Sequence, residues 1–450
     1  MKDLPKGWVN AKIKDVSIKC VQNKPNDEDK LVYVDIGSIN RKLKVIENPQ
    51  HLKGIDAPSR ARKRINTNDV LVSLTRPNLN AIAHVPKDFD EQYASTGFEV
   101  IKSVGVDSRY LFALVKTQNF INAISGVVQG ALYPAAKSSD VQNYVFPLAP
   151  LNEQIRIADK LDSILAKVDA AQARLDKIPN ILKRFRQSVL AAATSGELTK
   201  EWRENKDTHK ITEKYYAPKE WDLFVFEKLT DVVTSGSRGW AKYYSDQGST
   251  FIRAQNINSD YLNLSDIAFV SLPEKAEGRR TKVENHNLLI TITGANVTKA
   301  ARVKDDILDA YVSQHVALVK LKKNEFSPFI ELFIKAENSG RGQLLELAYG
   351  AGKPGLNLQN IKGLKIALPS IEEQKEIAFK VERLLSKADA IEKKYHRAKA
   401  KINRLTQSIL AKAFRGELVS QDQNDEPASE LLARIKEETE LLKPRKKVKK

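Results

Sequence analysis

Two stretches of the chain place apolar residues at most positions of a repeat that alternates steps of four and three. Within residues 151–199 the apolar positions are Leu161, Leu165, Val168, Leu175, Leu182, Phe185 and Val189. Within residues 371–419 they are Val381, Leu385, Tyr395, Ile402, Leu405 and Ile409. An apolar period near 3.5 residues over about four heptads predicts two long helices that pair as a coiled coil. The alternative is a pair of ordinary bundle helices.

The two helical stretches are copies of one another. They align without a gap at an offset of 220 residues, with 18 identities in 49 positions. Both begin with Glu-Gln, at Glu153 and Glu373, and both close with Gln-Ser-x-Leu-Ala-x-Ala-x-x-Gly-Glu-Leu. Gly196 and Gly416 follow the last apolar positions and predict where the helices end. Pro179 predicts a kink in the first helix only, because proline removes a backbone hydrogen bond.

The segments before the helices have diverged, but they still correspond. Pro5-Lys6-Gly7-Trp8 matches Pro218-Lys219-Glu220-Trp221, and the apolar run from Val70 matches the run from Leu288. Short apolar runs between Gly, Pro, Asn and Asp predict α+β domains with many loops. The predicted strands are Val70–Leu74, Phe98–Ile101, Leu288–Thr293 and Val316–Leu321, and the predicted helices are Ser108–Asn122 and Phe329–Ala336.

The pattern divides the chain into two α+β domains with a repeated helix after each. The predicted order is domain 1–150, helix 151–199, linker 200–217, domain 218–370, helix 371–419 and tail 420–450. The tail contains a short amphipathic helix over Glu426–Leu442 and a basic run from Lys443. Such a run is typical of a solvated, disordered end, and phosphate contact is the alternative.

Composition makes a polyanion the first partner to consider. The 450 residues contain 74 Lys+Arg against 56 Asp+Glu, a formal charge of +18. The only cysteine is Cys20, which excludes a disulfide framework within one chain and fits a reducing compartment. No apolar run reaches the roughly 20 residues of a membrane helix, and the N-terminus lacks a signal peptide's apolar core. We therefore expect a cytoplasmic protein with no membrane partner.

Motifs for catalysis are missing from the sequence. It contains no Pro-Pro pair, which the active-site motif of an adenine methyltransferase requires, and no phosphate-binding loop. Its six histidines are scattered, without metal-ligand spacing. The sequence therefore predicts no catalytic residue, no metal site and no cofactor in this chain.

Basic and amide side chains are concentrated in the two variable domains. Residues 40–87 hold ten Lys/Arg against three Asp/Glu. Arg, Asn and Gln can make paired hydrogen bonds to base edges, and Lys and Arg neutralise phosphates. The candidate DNA contacts are Arg60, Arg62, Lys63, Arg64, Arg76, Asn78, Lys137, Arg238, Arg253, Gln255, Arg279, Arg280, Lys299, Arg302 and Lys353. For any one of them, a solvated surface charge is the alternative.

On the paired Glu-Gln helix starts and the paired Gln-Ser-x-Leu-Ala…Gly-Glu-Leu helix ends, the chain resembles the DNA-specificity subunit of type I restriction–modification enzymes. The helix ends are similar to the enterobacterial branch of that family. The resemblance covers essentially the whole length.

The resemblance implies an architecture and a set of partners. Each variable domain would read one half of a bipartite target on double-stranded DNA, and the two helices would pair antiparallel as a ruler between the domains. Two adenine-N6 methyltransferase subunits would bind, one per repeat, and two ATP-dependent translocase/endonuclease subunits would join them. S-adenosylmethionine, ATP and Mg²⁺ would then belong to those partners.

Two alternatives of other classes stay open at this point. A nuclease with an unrecognised active site would cleave DNA with Mg²⁺ and no partner. A coiled-coil scaffold that binds only proteins would show no salt-dependent affinity for duplex DNA.

Overall fold

The structure is a computed structural model that describes residues 4–126, 135–273, 279–305, 307, 309–350, 352 and 354–441. It divides into two compact units. The first unit combines Met1–Leu175 with Arg397–Lys450, and the second is Asp176–His396. No helix in the described ranges is both long and apolar enough to cross a membrane.

Of the two helices predicted in the variable halves, one begins at Ser108 as predicted, and the other begins at Ser327, two residues before the predicted Phe329. The helices are α1 (Ser108–Val115), α2 (Gln118–Ser125), α3 (Ser138–Gln142), α4 (Leu151–Leu175), α5 (Ile178–Thr194), α6 (Ser327–Lys335), α7 (Gly340–Leu347), α8 (Leu358–Lys362), α9 (Ile371–Ala413) and α10 (Ala428–Leu441). The predicted helix Ser108–Asn122 is two helices, because the Thr117 hydroxyl accepts a bond from Phe120 N and caps α2.

The first repeated helix is interrupted and the second is continuous. Helix α4 ends at Leu175 and α5 begins at Ile178, which places Pro179 in its first turn. This is the interruption that proline predicts, since its ring clashes with the carbonyl four residues before it. Helix α9 runs through the corresponding position, Lys399, without a break.

The first unit contains twelve described strands. They are β1 (Val9–Lys12), β2 (Ser17–Ile18), β3 (Lys30–Val34), β4 (Ile39–Asn40), β5 (Val45–Ile46), β6 (Gln50–Lys53), β7 (Ala61–Ile65), β8 (Val70–Ser73), β9 (Ile82–His84), β10 (Gln92–Ser95), β11 (Phe98–Ser103) and β12 (Val145–Leu148). Two four-stranded sheets have the orders β6-β3-β10-β7 and β2-β11-β8-β9, while β1 pairs with β12 and β4 with β5.

The second unit also has two four-stranded sheets. Its described strands are β13 (Thr208–Lys210), β14 (Tyr216–Pro218), β15 (Asp222–Val225), β16 (Thr230–Ser235), β17 (Tyr244–Ser245), β18 (Ser249–Ile252), β19 (Ala268–Val270), β20 (Leu288–Thr291), β21 (Ala300–Arg302), β22 (Ala310–Val312), β23 (Val316–Leu321) and β24 (Lys365–Leu368). The sheet orders are β16-β23-β20-β21 and β17-β19-β18-β22, with β15 paired to β24 and β13 to β14.

The central strand of each unit is buried on both faces, which explains its uninterrupted apolar run. Val70 and Val72 of β8 belong to the core under the helices, whereas Leu71 belongs to the core between the two sheets. In β20, Leu288 and Ile290 face the helices and Leu289 faces the second sheet. Because successive side chains of a strand point to opposite faces, each apolar run contributes to two hydrophobic cores.

Within the second unit, α5 packs antiparallel to the first part of α9. Arg186 donates to Asp389 Oδ1 at 2.8 Å and to Glu392 Oε2 at 2.7 Å. Further along α5, Val189 shares a core with Val381, which lies earlier on α9. In the first unit, Ile157, Leu161 and Leu165 of α4 share a core with Ile409, Leu410 and Ala413 at the end of α9.

Most residues of the predicted seam are at least partly buried, and one position of the repeat is exposed. Leu161, Leu182, Val189, Val381, Tyr395 and Ile409 are buried, and Leu165, Val168, Leu175, Leu385 and Ile402 are partly buried. Phe185 and Leu405, which correspond at the 220-residue offset, are 38% and 47% exposed. The buried stripe continues instead through Leu190 and Leu410, because a helix turns every ~3.6 residues rather than 3.5.

A tryptophan–glutamate hydrogen bond joins the start of each variable half to the start of its repeated helix. Trp8 Nε1 donates to Glu153 Oε2 at 3.0 Å, and Trp221 Nε1 donates to Glu373 Oε2 at 3.1 Å. All four side chains are buried. The two sequence motifs that recur in the chain, Pro-x-x-Trp and Glu-Gln, are therefore partners in space.

The helix ends also meet the Pro-x-x-Trp motifs. Gly196 and Gly416 adopt left-handed backbone angles, with φ of 77° and 70°. A Cβ on Gly196 would lie 2.5 Å from Pro218 Cγ, and a Cβ on Gly416 would lie 2.6 Å from Pro5 Cγ. Only glycine satisfies both the backbone angle and this close approach.

The two buried glutamates differ in their other partners. Arg203 Nη1 forms a buried ion pair with Glu373 Oε1, and the Thr199 hydroxyl donates to the same oxygen at 2.7 Å. Among the described residues, Glu153 Oε1 has no hydrogen-bond partner. Burial raises the pKa of Glu153, against the effects of the Trp8 hydrogen bond and Arg156. The position that corresponds to Arg203 holds Gln423.

Residues 200–217 and the C-terminal segment both enter a core, so the interpretation of 200–217 as a linker needs correction. Tyr215 is fully buried and its hydroxyl accepts a bond from Ala367 N at 3.3 Å. In the first unit, Leu431 and Ile435 of α10 are buried, and Arg156 Nη2 donates to Asp425 Oδ2 at 2.6 Å. The predicted basic run from Lys443 lies outside the described residues.

Replacing Glu373 with Gln should destabilise the protein by about 3 kcal/mol, because Arg203 is left buried without its carboxylate. E153Q should be neutral or stabilising at pH 7. A carboxyl whose pKa rises on folding opposes folding when ionised, so the gain of E153Q should grow as the pH rises above 4.5. Thermal unfolding of both variants between pH 4 and 8 measures this. Equal losses at pH 7 would contradict the difference.

Candidate nucleic-acid interface

Strand β7 carries three of the four basic residues in the densest basic stretch of residues 40–87, and its alternation divides them between two faces. Arg62 and Arg64 are partly exposed, whereas Lys63 is 5% exposed. Lys63 Nζ donates to Glu99 Oε2 at 3.2 Å inside the unit. Lys63 is therefore committed to a buried ion pair, and its prediction as a DNA contact needs correction. Successive side chains of a strand point to opposite faces, which the composition of the run does not reveal.

The second unit places a cation where the first has Arg64. Arg64 lies opposite Tyr93 across the β7–β10 pair, and Lys282 forms an isolated bridge with Tyr311. Arg64 and Lys282 are 218 residues apart in sequence, and so are Tyr93 and Tyr311. Because residues opposite one another in a ladder share a face of the sheet, Arg64 and Lys282 occupy equivalent sites.

An aromatic pair lies beside each of these cations. Tyr33 and Tyr93 are neighbours on the parallel strands β3 and β10, and Phe251 and Tyr311 are neighbours on β18 and β22. The Arg64 guanidinium carbon lies 5.5 Å from the centre of the Tyr93 ring. In each unit, two buried aromatic rings thus lie beside a basic residue.

Arg62 and Arg280 are the next pair at the same offset. The Arg62 Nε donates to Ser59 O at 2.9 Å, and the Arg280 Nε donates to Thr234 Oγ1 at 3.1 Å. Each bond fixes the guanidinium on one side, and a guanidinium has further N–H groups that can donate to a ligand. Arg280 is exposed and Arg62 partly so.

The loop that follows the central strand has the same backbone shape in both units. Arg76 and Asn80 have φ of 48° and 47°, and the corresponding Gly294 and Thr298 have φ of 88° and 70°. Left-handed angles at non-glycine residues are uncommon and cluster at functional sites. Arg76 and Asn78, both candidates from the sequence, are exposed in this loop.

Three candidates of the second unit are held by acidic neighbours. Arg253 and Gln255 both contact Asp266, with the Gln255 Nε2 donating to Oδ2 at 2.6 Å. Lys299 Nζ lies 3.3 Å from Asp260 Oδ2. These side chains stay at least partly exposed, so a phosphate would compete with a carboxylate for them.

Arg302 is not at the surface that the sequence predicts. Its Nε donates to Glu331 Oε2 at 3.1 Å, and Lys335 Nζ donates to Oε1 of the same carboxylate at 2.5 Å. Burial raises the pKa of Glu331, but the two cations outweigh it and lower the pKa overall. Arg302 is thus a member of a largely buried ion triad, and its prediction as a DNA contact needs correction.

The remaining candidates are scattered. Arg60, Lys137 and Arg238 are exposed. Lys353 and the side chain of Arg279 lie outside what the structure describes. Across the described residues, His, Cys, Asp and Glu side chains form no group of three or more placed to hold a metal ion.

Sequence reasoning missed two lysines beside the Arg76–Asn80 loop. Lys44 Nζ donates to Asn80 O at 2.6 Å, and Lys116 Nζ lies 3.7 Å from the centre of the Phe112 ring. The pKa of each lysine is lowered to about 8, chiefly by burial. A single basic residue at a helix end or a hairpin tip carries no signal in the sequence.

The sequence profile described as "Type I restriction modification DNA specificity domain" matches residues 5–180 and 218–400. The chain belongs to this type I DNA-specificity family. The EcoBI specificity subunit of Escherichia coli is 35% identical over 71% of this chain and 69% of its own length. The EcoKI specificity subunit of E. coli K12 is 28% identical over 97% of this chain and 96% of its own. The enterobacterial resemblance is confirmed.

Solved structures confirm the fold of this specificity-family chain. One, from a study titled as the "complex assembly and conformational transition of the type I R-M system", gives a TM-score of 0.71 over 93% of this chain and 100% of its own, at 24% identity. The HsdS subunit of Thermoanaerobacter tengcongensis gives 0.57 over 92% and 98%, also at 24% identity. The α+β architecture with two repeated domains is thereby confirmed.

Replacing Arg64 or Lys282 with Gln should weaken duplex binding and reduce the slope of log K against log salt by about 0.9 each, the value of one phosphate contact. The control is K63Q, which should lower the melting temperature without changing that slope, because Lys63 is buried. Fluorescence anisotropy across a salt series gives the slopes. A reduced slope for K63Q alone would reverse the assignment.

Proposed function

We propose that this chain reads a bipartite, asymmetric DNA target, with one half-site for each unit. The observation that supports this proposal is that equivalent strand and loop positions of the two units hold different side chains. Arg76 of the first loop corresponds to Gly294, and Arg64 of strand β7 corresponds to Lys282. A shared framework with different contact residues suits two different base sequences.

The chain would act without catalysis of its own. Adenine-N6 methylation and DNA translocation or cleavage would belong to two methyltransferase and two translocase/endonuclease subunits. Those partners would carry S-adenosylmethionine, ATP and Mg²⁺. The missing Pro-Pro and phosphate-loop motifs support this division of labour.

The exposed pair Phe185 and Leu405 supports one partner per repeat. Each is a large apolar side chain at the same position of the two helix copies. Large apolar side chains at equivalent exposed positions suit a protein that binds both copies in the same way. We assign them to the two methyltransferase subunits.

The test is co-expression with the cognate methyltransferase subunit, followed by mapping of methylated adenines across the host genome. A two-part motif with an unread spacer is expected. Exchange of residues 1–150 for those of a relative that keeps Trp8 and Gly105 should change one half of the motif only. Gly105 matters because Ile435 Cγ1 would lie 2.5 Å from a Cβ there. A change in both halves would contradict one half-site per unit.

The same preparation separates the alternatives. DNA cleavage by the purified chain with Mg²⁺ and no partner would support a nuclease. Partner binding without any salt-dependent affinity for DNA would support a protein-only scaffold.

Replacing Phe185 or Leu405 with Asp should each remove about one methyltransferase subunit from the complex, because a carboxylate is costly to bury in an apolar contact. Mass photometry of the co-purified complex counts the subunits. The control is Ile155→Asp, since Ile155 is also exposed but has Lys375 at the corresponding position. Full occupancy in both variants would show that the helix partners bind elsewhere.

A further inference from the structure

The tip of the β4–β5 hairpin is fastened to the loop that follows the central strand of the first unit. Lys44 ends the hairpin turn with a φ of 59°, and its Nζ donates to the carbonyl of Asn80. Asn80 itself has a left-handed backbone, as does Arg76 at the other end of the same loop. Three strained non-glycine residues thus meet at one place, which is typical of a ligand-binding site.

A second lysine, Lys116, lies between α1 and α2, and α2 packs against the Arg76–Asn80 loop. Lys116 is held by its backbone, because Gln407 Nε2 donates to its carbonyl at 3.3 Å. Its ammonium lies over the Phe112 ring, and among the described residues no carboxylate forms an ion pair with it. Gln407 belongs to the repeated Gln-Ser motif of α9, so the repeat positions this lysine.

The cations here repel one another. Burial lowers the pKa of Lys44 to about 8, with further contributions from Lys116 and Arg41. Burial lowers the pKa of Lys116 to about 8 against opposing effects of Asp162 and Asp169 on α4. Burial lowers the pKa of His84 on β9. Lys116 lowers it further, whereas Asp107 raises it. Asp162 and Asp169 do not cancel the effect of burial on Lys116, whose pKa stays below its usual value.

The second unit neutralises the corresponding place. Lys335 ends α6 as Lys116 follows α1, and Glu331 stands four residues before it where the first unit has Phe112. Lys335 Nζ is bound to that carboxylate at 2.5 Å. Gly294 also replaces Arg76 in the loop. The two units therefore differ in charge at an otherwise equivalent position.

We propose that Lys44 and Lys116, together with Arg41, bind a phosphodiester group of the DNA backbone beside the half-site read by the first unit. The proposal rests on the proposed function and adds an anchor that only one unit possesses. A phosphate would supply the negative charge that the cluster lacks and would accept hydrogen bonds from both ammonium groups. Such a contact sets the position of the protein on DNA and carries no base information.

Phosphate binding here is linked to proton uptake. The lysines titrate near pH 8 in the free protein, and a bound phosphate raises their pKa by favouring the charged form. Affinity should therefore fall as the pH rises from 7 to 9, and more steeply than in a variant without these lysines.

The experiment uses the full chain in complex with its methyltransferase partner. Binding to a cognate and a scrambled duplex is measured across a salt series for K44Q, K116Q and F112E. F112E copies the second unit and neutralises Lys116 without removing it. The control is the double variant K14Q and K19Q, which removes two exposed lysines of the same unit.

Each of the three variants should reduce the salt slope by about 0.9, one phosphate contact. Their affinity losses should be equal on both duplexes, with an unchanged methylated motif, and the melting temperature should stay unchanged in K44Q and K116Q. A slope equal to that of the control, or a loss on the cognate duplex alone, overturns the proposal. Titration with inorganic phosphate tests whether the site binds a free anion instead of the DNA backbone. A variant that changes phosphate binding without changing the salt slope of DNA binding also overturns the proposal. Absence of salt-dependent binding by the unaltered complex would instead reject the proposed function.

Discussion

The buried hydrogen bond between a tryptophan and a helix-initial glutamate joins the two kinds of structure in this protein. Trp8 and Trp221 lie just before the first strand of each variable half, and Glu153 and Glu373 open the repeated helices. A carboxylate so deeply buried requires a donor, because an unpaired charge in a low-dielectric core costs several kcal/mol. The indole N–H is such a donor, and it fixes the position of each helix against its domain. The glycine–proline contacts at the helix ends complete the same junction.

This junction also explains the order of segments along the chain. The end of the first repeated helix packs on Pro218, which begins the second variable half, and the end of the second packs on Pro5, which begins the first. The segment after each helix then enters the core of the unit it reaches, as Tyr215 does in one unit and Ile435 in the other. The first unit is consequently built from two segments that are distant in sequence, whereas the second is one continuous segment.

The two units differ in how their charged groups are neutralised. The second neutralises Glu373 with Arg203, Lys335 with Glu331 and Lys299 with Asp260. Among the described residues of the first unit, Glu153 has no ion pair like that of Glu373, and Lys44 and Lys116 form no ion pair with a carboxylate. A buried ion pair contributes little to net stability. The unpaired groups of the first unit are the ones able to respond to pH or to a ligand.

Local patterns were enough to predict the repeat, the two long helices, the interruption at Pro179 and the central strands from Val70 and Leu288. Apolar periodicity, glycine and proline act through the backbone of their own neighbourhood, so the sequence displays them directly. Tertiary structure alone decided that Trp8 meets Glu153, that Lys63 turns inward to Glu99, and that Phe185 stays outside the seam. Each of these depends on the face that a side chain presents and on a partner far away in sequence. Long-range packing sets both, and neither composition nor spacing encodes it locally.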